Sequence, residues 1–323
     1  MTGVQTCALP IYYQRNSSNR VIRKIIKIIQ SNSFDIVIVD FWFAAGFFRK
    51  LKGNQLKALD THGLVEEFIE LTQKGFYHTK RKKTEKRIYL NNLKYQRKIH
   101  KFTDLLVLNS AKSYNMACDN YPDIKKHYCA NGIDLSFYKP NSGNPNYNPN
   151  KFLYYGSLGS NQNNDSFSTL FEKIWPLILN VNKDADLIVL GNNPPNWIRN
   201  LAQKYSNITV TGYIEDIRET VMDCCCMVLP MNLGVGFRGR AVEVMSLGVP
   251  VIGNHNALDC IGITNRVNGF ISDDYGEIAG YALKLSNDSE YRLRVSKNTL
   301  DFIRNNFSIE STYGKLSEIL NKI

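Results

Sequence analysis

The fold of this chain is constrained most by residues 227–253, where an apolar run, a glycine-rich loop, a helical pattern and a second apolar run follow one another. Met227 to Leu229 lead into Pro230, and glycines then interrupt the chain at positions 234, 236 and 239. Apolar residues at helical spacing start near Arg240 and stop at Gly248. The next segment, 249–252, has the composition of a short buried strand.

The chemistry that this order favours is anion binding. Glycines let backbone N–H groups approach a ligand closely, and the start of a helix offers unpaired donors and a partial positive charge. Arg238 and Arg240 lie at that start and can bind phosphate oxygens through paired N–H groups. Glu243, one helical turn after Arg240, can accept hydrogen bonds from a ribose diol. We therefore predict a cradle for a nucleoside diphosphate, with a surface loop carrying two solvated arginines as the alternative.

The same residues resemble a known signature. The spacing Gly-x-Gly-x-Arg-x-Arg-x-x-Glu-x-Met, followed by Gly-x-Pro-Val-Ile, is similar to the donor site of retaining GT-B glycosyltransferases. In this sequence the matching residues are Gly234, Gly236, Arg238, Arg240, Glu243, Met245, Gly248, Pro250 and Val251. From residue 34 to the end, the order of further pieces, at 131–134, 156–157 and 212–214, resembles bacterial family-4 glycosyltransferases. The resemblance implies a donor nucleotide on the C-terminal domain and an acceptor on the N-terminal domain.

Strand and helix patterns alternate through both halves of the chain. This alternation predicts an α/β fold of two doubly wound, Rossmann-like domains with a C-terminal helical tail. Residues 139–150 are rich in Pro, Asn and Gly, as linkers are. We therefore place an acceptor-side domain at 12–148, a donor-binding domain at 149–305 and the tail at 306–323. Residues 1–11 resemble the translation of a sequencing adapter, so they are treated as a non-native scar and the acceptor-side domain is expected to be truncated.

Composition limits the location and the chemistry of the protein. No apolar run reaches the ~18–20 residues of a transmembrane helix, and the first residues lack the features of a signal peptide. Seven cysteines without a Cys-x-x-Cys pair argue against a zinc site or a disulfide framework and favour a reduced, cytoplasmic protein. The consecutive Cys224, Cys225 and Cys226 are expected to be small buried thiols at a strand edge or a helix end.

Much of the net charge of +11 lies in residues 74–101, which hold eleven Lys or Arg residues and one Glu. A long solvated helix with one face on the sheet is the ordinary meaning of such a run. The functional interpretation is attraction to an anionic membrane surface, worth ~1 kcal/mol per basic residue, which would place the protein peripherally on the inner face of the cell membrane. No nucleic-acid-binding motif accompanies the stretch, so nucleic acid is not an expected partner.

Further candidate residues follow strand ends, where ligands bind in open α/β sheets. A loop histidine such as His62 ordinarily caps a helix or meets solvent, whereas the resemblance implies a histidine that faces the donor sugar. Gly156 and Ser157 form either an ordinary turn or a turn that contacts the distal phosphate. Tyr213 and Ile214 pack either against the nucleobase or in the core.

The sequence departs from the family pattern at two places. Many relatives have an arginine and a lysine near the position of Gly156, and this chain has neither, so Arg238 and Arg240 are expected to supply the positive charge. Relatives often have a second glutamate eight residues before Glu243, where this chain has Val235. The sugar-hydroxyl contact of that glutamate must be absent or replaced by loop N–H groups.

The resemblance implies transfer of a hexose from a nucleotide-diphosphate sugar to a polysaccharide or lipid-linked acceptor, with retention of configuration. His62, Arg238, Arg240 and Glu243 are the expected catalytic residues, with no metal, no cofactor and no assigned general base. Three alternatives stay open: a GT-B sugar-nucleotide epimerase, a nucleotide-sugar-binding protein without catalysis, and a basic nucleic-acid binder.

Overall fold

The structure is a computed structural model that describes residues 19–32, 34–75, 81–140 and 147–322. The proposed scar at 1–11 and part of the basic stretch, 76–80, lie outside the described residues. The chain forms two compact units. The first unit contains the described residues up to Ala130, together with Val235–Phe237 and the segment from Leu316, and the second contains Asn131–Gly234 and Arg238–Lys315.

The first unit is a four-stranded parallel sheet in the order β1-β2-β3-β4. Its elements are α1 (Asn19–Ser31), β1 (Ile36–Asp40), a 3₁₀ helix (Ala45–Lys50), β2 (Leu56–Thr61), α2 (Val65–Gln73), α3 (Lys82–His100), β3 (Leu105–Leu108), α4 (Ala111–Asn120) and β4 (Lys125–Tyr128). In the register of β1 and β2, Asp40 lies opposite Asp60, so two carboxylates end neighbouring strands.

Apolar spacing explains why these segments cover the sheet. In α1, Ile22, Ile25, Ile26 and Ile29 recur every three or four residues and pack on the core that includes Leu59 and Leu106. All four residues of β3 are buried, as expected for a parallel strand with both faces covered. The last helix, α13 (Lys315–Leu320), packs Leu316 and Leu320 against a cluster that contains Ala58, Leu105, Val107 and Cys129.

The second unit is a six-stranded parallel sheet in the order β10-β9-β8-β5-β6-β7. Its strands are β5 (Asn148–Tyr155), β6 (Asp186–Leu190), β7 (Ile208–Gly212), β8 (Cys224–Leu229), β9 (Val251–Gly253) and β10 (Phe270–Ile271). Its α-helices are α5 (Asn161–Thr169), α6 (Trp175–Val181), α7 (Asn196–Lys204), α8 (Arg218–Met222), α9 (Gly239–Ser246), α10 (His255–Leu258), α11 (Tyr275–Asn287) and α12 (Ser289–Phe307), with π-helical turns at Leu170–Ile174 and Glu310–Gly314. The prediction of two Rossmann-like α/β units with a C-terminal helix is confirmed.

The three consecutive cysteines lie at a different place from the predicted strand edge or helix end. They form the first half of β8, which is an interior strand between β5 and β9, and all three are fully buried. A strand edge or a helix end was expected because small thiols suit such places, but they equally fill the close space between an interior strand and its covering helices. Arg292 of α12, 1% exposed, donates to the backbone carbonyls of Cys225 at 2.8 Å and Cys224 at 3.1 Å.

Pro176 lies inside a helical stretch and does not end it. The chain stays helical to Val181, because the turn at Leu170–Ile174 is π-helical and a new α-helical segment starts at Trp175. Proline is tolerated in the first turn of a helix, where its missing N–H would have no intrahelical partner. Across the four described ranges, none of the helices combines the length and the apolar character that a membrane span requires.

Candidate functional site

The glycine-rich loop between β8 and α9 has the predicted order of elements. Gly236, at the tip, has φ +75°, and a Cβ atom there would lie 2.7 Å from the backbone oxygen of His62. Glycine is therefore needed for the backbone conformation and for the close approach. Within the second unit, a Cβ atom at Gly234 would collide with the backbone oxygen of Asn256 and with the guanidinium of Arg238, so this position has no room for a side chain.

His62 follows β2 and is held by side chains at the carboxyl ends of the neighbouring strands. Its Nε2 lies 2.7 Å from Asp40 Oδ1, at the end of β1, and its Nδ1 lies 3.1 Å from Asn109 Nδ2, just after β3. The ring of Phe41 stacks on the imidazole at a centroid distance of 4.6 Å. Helix α2 has Leu64 at its N-cap, so His62 does not cap it.

Neither Asp40 nor Asn109 was singled out from the sequence. The pattern that could have found them is simple: each ends or directly follows a buried strand, and carboxyl ends of parallel strands share one edge of a sheet.

A second carboxylate lies beside this histidine. Ligand atoms of Asp40, Asp60 and His62 all lie within 4.8 Å of one another, which is close enough for one metal ion. Burial raises the pKa of the Asp60 carboxyl, His62 opposes this shift and Asp40 adds to it. The proximity of these three residues was not predicted from the sequence. The absence of a metal stays a prediction.

A buried carboxylate contacts the tip of the glycine loop within the first unit. Glu67 of α2, 1% exposed, accepts hydrogen bonds from the backbone N–H of Leu64 at 3.0 Å and from the Ser113 hydroxyl at 2.5 Å. Its other oxygen accepts from the Gly236 N–H at 3.4 Å. Sequence reasoning missed Glu67, although a glutamate at the third position of a helix is a known N-terminal capping pattern.

In the second unit, Arg240 and Glu243 of α9 converge on one aromatic ring, as their spacing of one helical turn allows. The guanidinium of Arg240 lies over the ring of Tyr155 at 4.8 Å, and the Tyr155 hydroxyl donates to Glu243 Oε2 at 3.1 Å. Burial raises the pKa of the Glu243 carboxyl, while the Tyr155 hydrogen bond and Arg240 lower it. Burial and Glu243 raise the pKa of Tyr138 to about 12.

Arg240 also has a buried nitrogen with unused hydrogen-bonding capacity. Its Nη1 atom is buried and has no hydrogen-bond partner among the described residues. A desolvated guanidinium N–H is costly to leave unpaired and is a strong donor to an anionic oxygen. Tyr155 was not singled out from the sequence, although it ends the strand that precedes the predicted Gly156 turn.

The turn after β5 is held by asparagines. Ser157 donates from its hydroxyl to Asn192 Oδ1 at 2.9 Å, and Asn163 Nδ2 donates to the Ser157 carbonyl at 3.0 Å. The Gly156 N–H donates to the Leu190 carbonyl at 3.1 Å, so this amide is already used within the sheet. The Gly156 N–H is therefore not available to a ligand, and a phosphate contact by this turn, with the Ser157 hydroxyl as the candidate group, stays a prediction.

Tyr213 and Ile214 follow β7 and differ in exposure. Tyr213 is 75% exposed, whereas Ile214 is half-buried. The sequence left two interpretations open for Tyr213, and its exposure excludes one of them, packing in the core. Of the remaining candidates, His62 and Gly236 belong to the first unit, and Gly234, Arg238 and the Arg240–Glu243 pair belong to the second.

Comparison with known proteins gives a family match for part of the chain. Residues 149–288, which contain all of β5 but its first residue and the glycine loop with α9, match the family model described as Glycosyl transferases group 1. A search of curated proteins finds no match.

Solved structures are similar over most of the chain. The sucrose-phosphate synthase of Thermosynechococcus elongatus has a TM-score of 0.73 at 13% identity, covering 94% of this chain and 77% of that protein. Anabaena HepE in complex with UDP has a TM-score of 0.73 at 14% identity, covering 94% and 82%. A glycosyltransferase from Rickettsia africae has a TM-score of 0.68 at 15% identity, covering 100% and 83%. The likeness establishes the GT-B fold, and together with the match of residues 149–288 it supports a glycosyltransferase.

Proposed function

We propose that this protein transfers a hexose from a nucleotide-diphosphate sugar to a saccharide or lipid-linked acceptor, with retention of configuration. The observation that carries the proposal is the Arg240–Tyr155–Glu243 cluster beside the glycine loop, in the segment that matches the family model. HepE has been solved with UDP and with UDP-glucose, which supports a donor of this chemical class.

Donor cleavage leaves a nucleoside diphosphate, so negative charge grows on the β-phosphate in the transition state. Arg238 and Arg240 flank the start of α9 and supply the positive charge. The buried Nη1 of Arg240 has its hydrogen-bonding capacity available for that oxygen. Removal of one pre-placed donor to a developing oxyanion typically costs ~10²–10³ in rate.

Glu243 binds the ribose hydroxyls in this proposal. Its Oε2 atom is held by Tyr155, which leaves Oε1 for the diol. Gly156 and Ser157 form the turn near the distal phosphate, and Ser157 supplies the hydroxyl there. Tyr213 and Ile214 lie at the nucleobase, since an exposed tyrosine after a strand end can stack on a base. Gly234 and Gly236 let the loop approach the sugar.

The proposed domain roles follow the same division. Residues 12–148 form the acceptor side and contribute His62 to the reaction, residues 149–305 bind the donor, and residues 306–323 form the tail. The described part of the basic stretch supports an anionic membrane surface as partner, since its Lys and Arg residues are exposed. These residues are Lys74, Arg81, Lys82, Lys83, Lys86, Arg87, Lys94, Arg97, Lys98 and Lys101. The protein would then act in the cytoplasm, peripherally on the inner membrane face, without a metal or cofactor.

The experiment is a panel of nucleotide sugars incubated with the full chain, with Arg240→Ala and with Arg304→Ala, an exposed arginine on α12 as the matched control. We expect release of nucleoside diphosphate by wild type and Arg304→Ala, and a loss of about 10²-fold or more for Arg240→Ala. Equal turnover by all three proteins would contradict the proposed role of Arg240.

Product analysis separates the alternatives. An epimerase would convert the sugar nucleotide without an acceptor, whereas a binding protein without catalysis would show nucleotide binding by calorimetry with no turnover. A salt-dependent gel shift would indicate a nucleic-acid binder instead.

A further inference from the structure

We infer that Asp40 and Asn109 are positioning residues that fix His62 as an imidazole protonated at Nε2, with both ring nitrogens hydrogen-bonded. This inference rests on the proposed function, because it assigns how His62 takes part in that reaction. The three residues belong to the first unit and end or follow three neighbouring parallel strands.

Asp40 determines which ring nitrogen carries the proton. A carboxylate only accepts hydrogen bonds, so the 2.7 Å contact between His62 Nε2 and Asp40 Oδ1 places the hydrogen on Nε2. This holds whether the ring is neutral or protonated, because both forms can carry hydrogen on Nε2. The distance is that of a charge-assisted hydrogen bond.

Asn109 occupies the other ring nitrogen. It is 2% exposed, and its Nδ2 atom lies 3.1 Å from His62 Nδ1. As the amide is placed, Nδ2 donates to the lone pair of Nδ1, which in this arrangement carries no hydrogen. If the amide turned by 180°, its oxygen would accept from a protonated Nδ1, so Asn109 can serve the imidazolium as well.

The Oδ1 atom of Asn109 is buried and has no hydrogen-bond partner within the described ranges. A 180° rotation of the amide would therefore leave Nδ2 unpaired in place of Oδ1. Asn109 would keep one hydrogen bond to His62 in either orientation.

Phe41 fixes the plane of the ring. Its φ of +68° is a left-handed conformation that a bulky residue rarely adopts, and its backbone N–H donates to the Asp60 carbonyl at 2.8 Å. This conformation turns the phenyl ring onto the imidazole, with an interplanar angle of 29°. A backbone held away from its preferred region at a strand end is typical of functional sites.

The consequence is that the proton of a substrate hydroxyl finds no free lone pair on His62. The side chain of Asp40 is 62% exposed and that of His62 is 22% exposed, so Asp40 is the more accessible of the two to a hydroxyl group. Asp60 completes the surroundings as a second carboxylate within 4.8 Å. His62 therefore acts as a hydrogen-bonded member of a network and not as a free base.

The direct test is the tautomer of His62 by nitrogen NMR of the full chain with ¹⁵N-labelled histidine. The chain has five histidines, so His62→Gln assigns the resonance by its disappearance. At about pH 9, where an ordinary imidazole is neutral, we expect hydrogen on Nε2 and an unprotonated Nδ1. Asp40→Asn should raise the fraction with hydrogen on Nδ1, while the exposed control Asp123→Asn should leave the spectrum unchanged. Hydrogen on Nδ1 in the wild type, or an Asp40→Asn spectrum identical to it, would overturn the inference.

Kinetics separate this inference from the proposed function. Asp40→Asn should lower kcat/KM by about 10- to 100-fold, as is common for a residue that orients a functional histidine. Because the two residues act as a unit, the double variant with His62→Gln should lose no more than His62→Gln alone. Additive losses would contradict the coupling. If no protein turned over any nucleotide sugar, the proposed function would fail, and the tautomer measurement would still decide the inference.

Discussion

Gly236→Ala tests whether the tip of the glycine loop has the conformation and the packing described above. Alanine at φ +75° costs about 1–2 kcal/mol in the left-handed region. The added Cβ atom would also lie 2.7 Å from the His62 backbone oxygen, which cannot rotate away as a side-chain end can. We therefore expect the variant to lose about 1–2 kcal/mol of unfolding free energy, or to move the loop and weaken donor binding about tenfold, since 1.4 kcal/mol corresponds to a factor of ten.

Two glycines offer matched controls for this substitution. Gly239, at the first position of α9, has no positive φ, and a Cβ atom there would meet no atom of the described residues within 4 Å. Gly280 lies inside α11 with equally open surroundings, so alanine should stabilise the protein by about 0.5–1 kcal/mol.

Urea unfolding and calorimetric titration with the nucleoside diphosphate that the wild type releases from its donor measure the two effects. If Gly236→Ala unfolded at the same urea concentration as the wild type and bound nucleotide equally well, the described packing of the loop tip would be wrong.

Two further predictions concern titratable groups. Tyr155→Phe removes the hydrogen bond to Glu243 and should weaken donor binding by about 0.5–1.5 kcal/mol. Because that bond lowers the raised pKa of Glu243, its loss should also move the increase of the donor KM at acidic pH to a higher pH. If the pH of this increase did not change, the Glu243 carboxylate would not take part in donor binding. His100 is buried, and burial lowers its pKa from 6.5 to about 4. The unfolded chain therefore binds the proton more readily, and stability should fall by up to about 3 kcal/mol as pH decreases from about 6.5 to 4. His100→Phe should flatten this part of the urea-unfolding profile, and an unchanged pH dependence would contradict the assignment to His100.

Much of the fold could be predicted from the sequence, because parallel strands buried on both faces leave short continuous apolar runs. Leu105–Leu108 and Asp186–Leu190 are strands for this reason. The glycine loop and the start of α9 were also predicted, since the glycines and the helical spacing after Arg240 are local features. The π-helical turn that precedes Pro176 could not be predicted, because it is not apparent in the residue pattern.

The partners of the candidate site residues could not be predicted in the same way. Asp40 and Asn109 lie 22 and 47 residues from His62 in the sequence, and the strand register brings them together. Tyr155 is 88 residues from Glu243 and meets it because β5 and β8 are neighbours in the sheet, whereas they are far apart in the chain. The Gly156 amide is used by Leu190 through the pairing of β5 and β6, which a motif does not show.

The burial of Cys224, Cys225 and Cys226 inside β8 gives the second unit an intrinsic reporter of its own opening. All three thiols are 0% exposed, so their burial keeps a reagent in solution away from them in the native state. Burial also raises the pKa of Cys224 to about 12, which makes its reactive thiolate scarce. In a chain with Cys7 and Cys118 replaced by serine, a thiol reagent would modify these three positions only as fast as the interior strand becomes accessible. Cys129, buried in the first unit, would react on the timescale of that unit instead. Mass spectrometry of the peptide that contains Cys224, Cys225 and Cys226 and of the peptide that contains Cys129 would then give separate opening rates for the two units from a single sample.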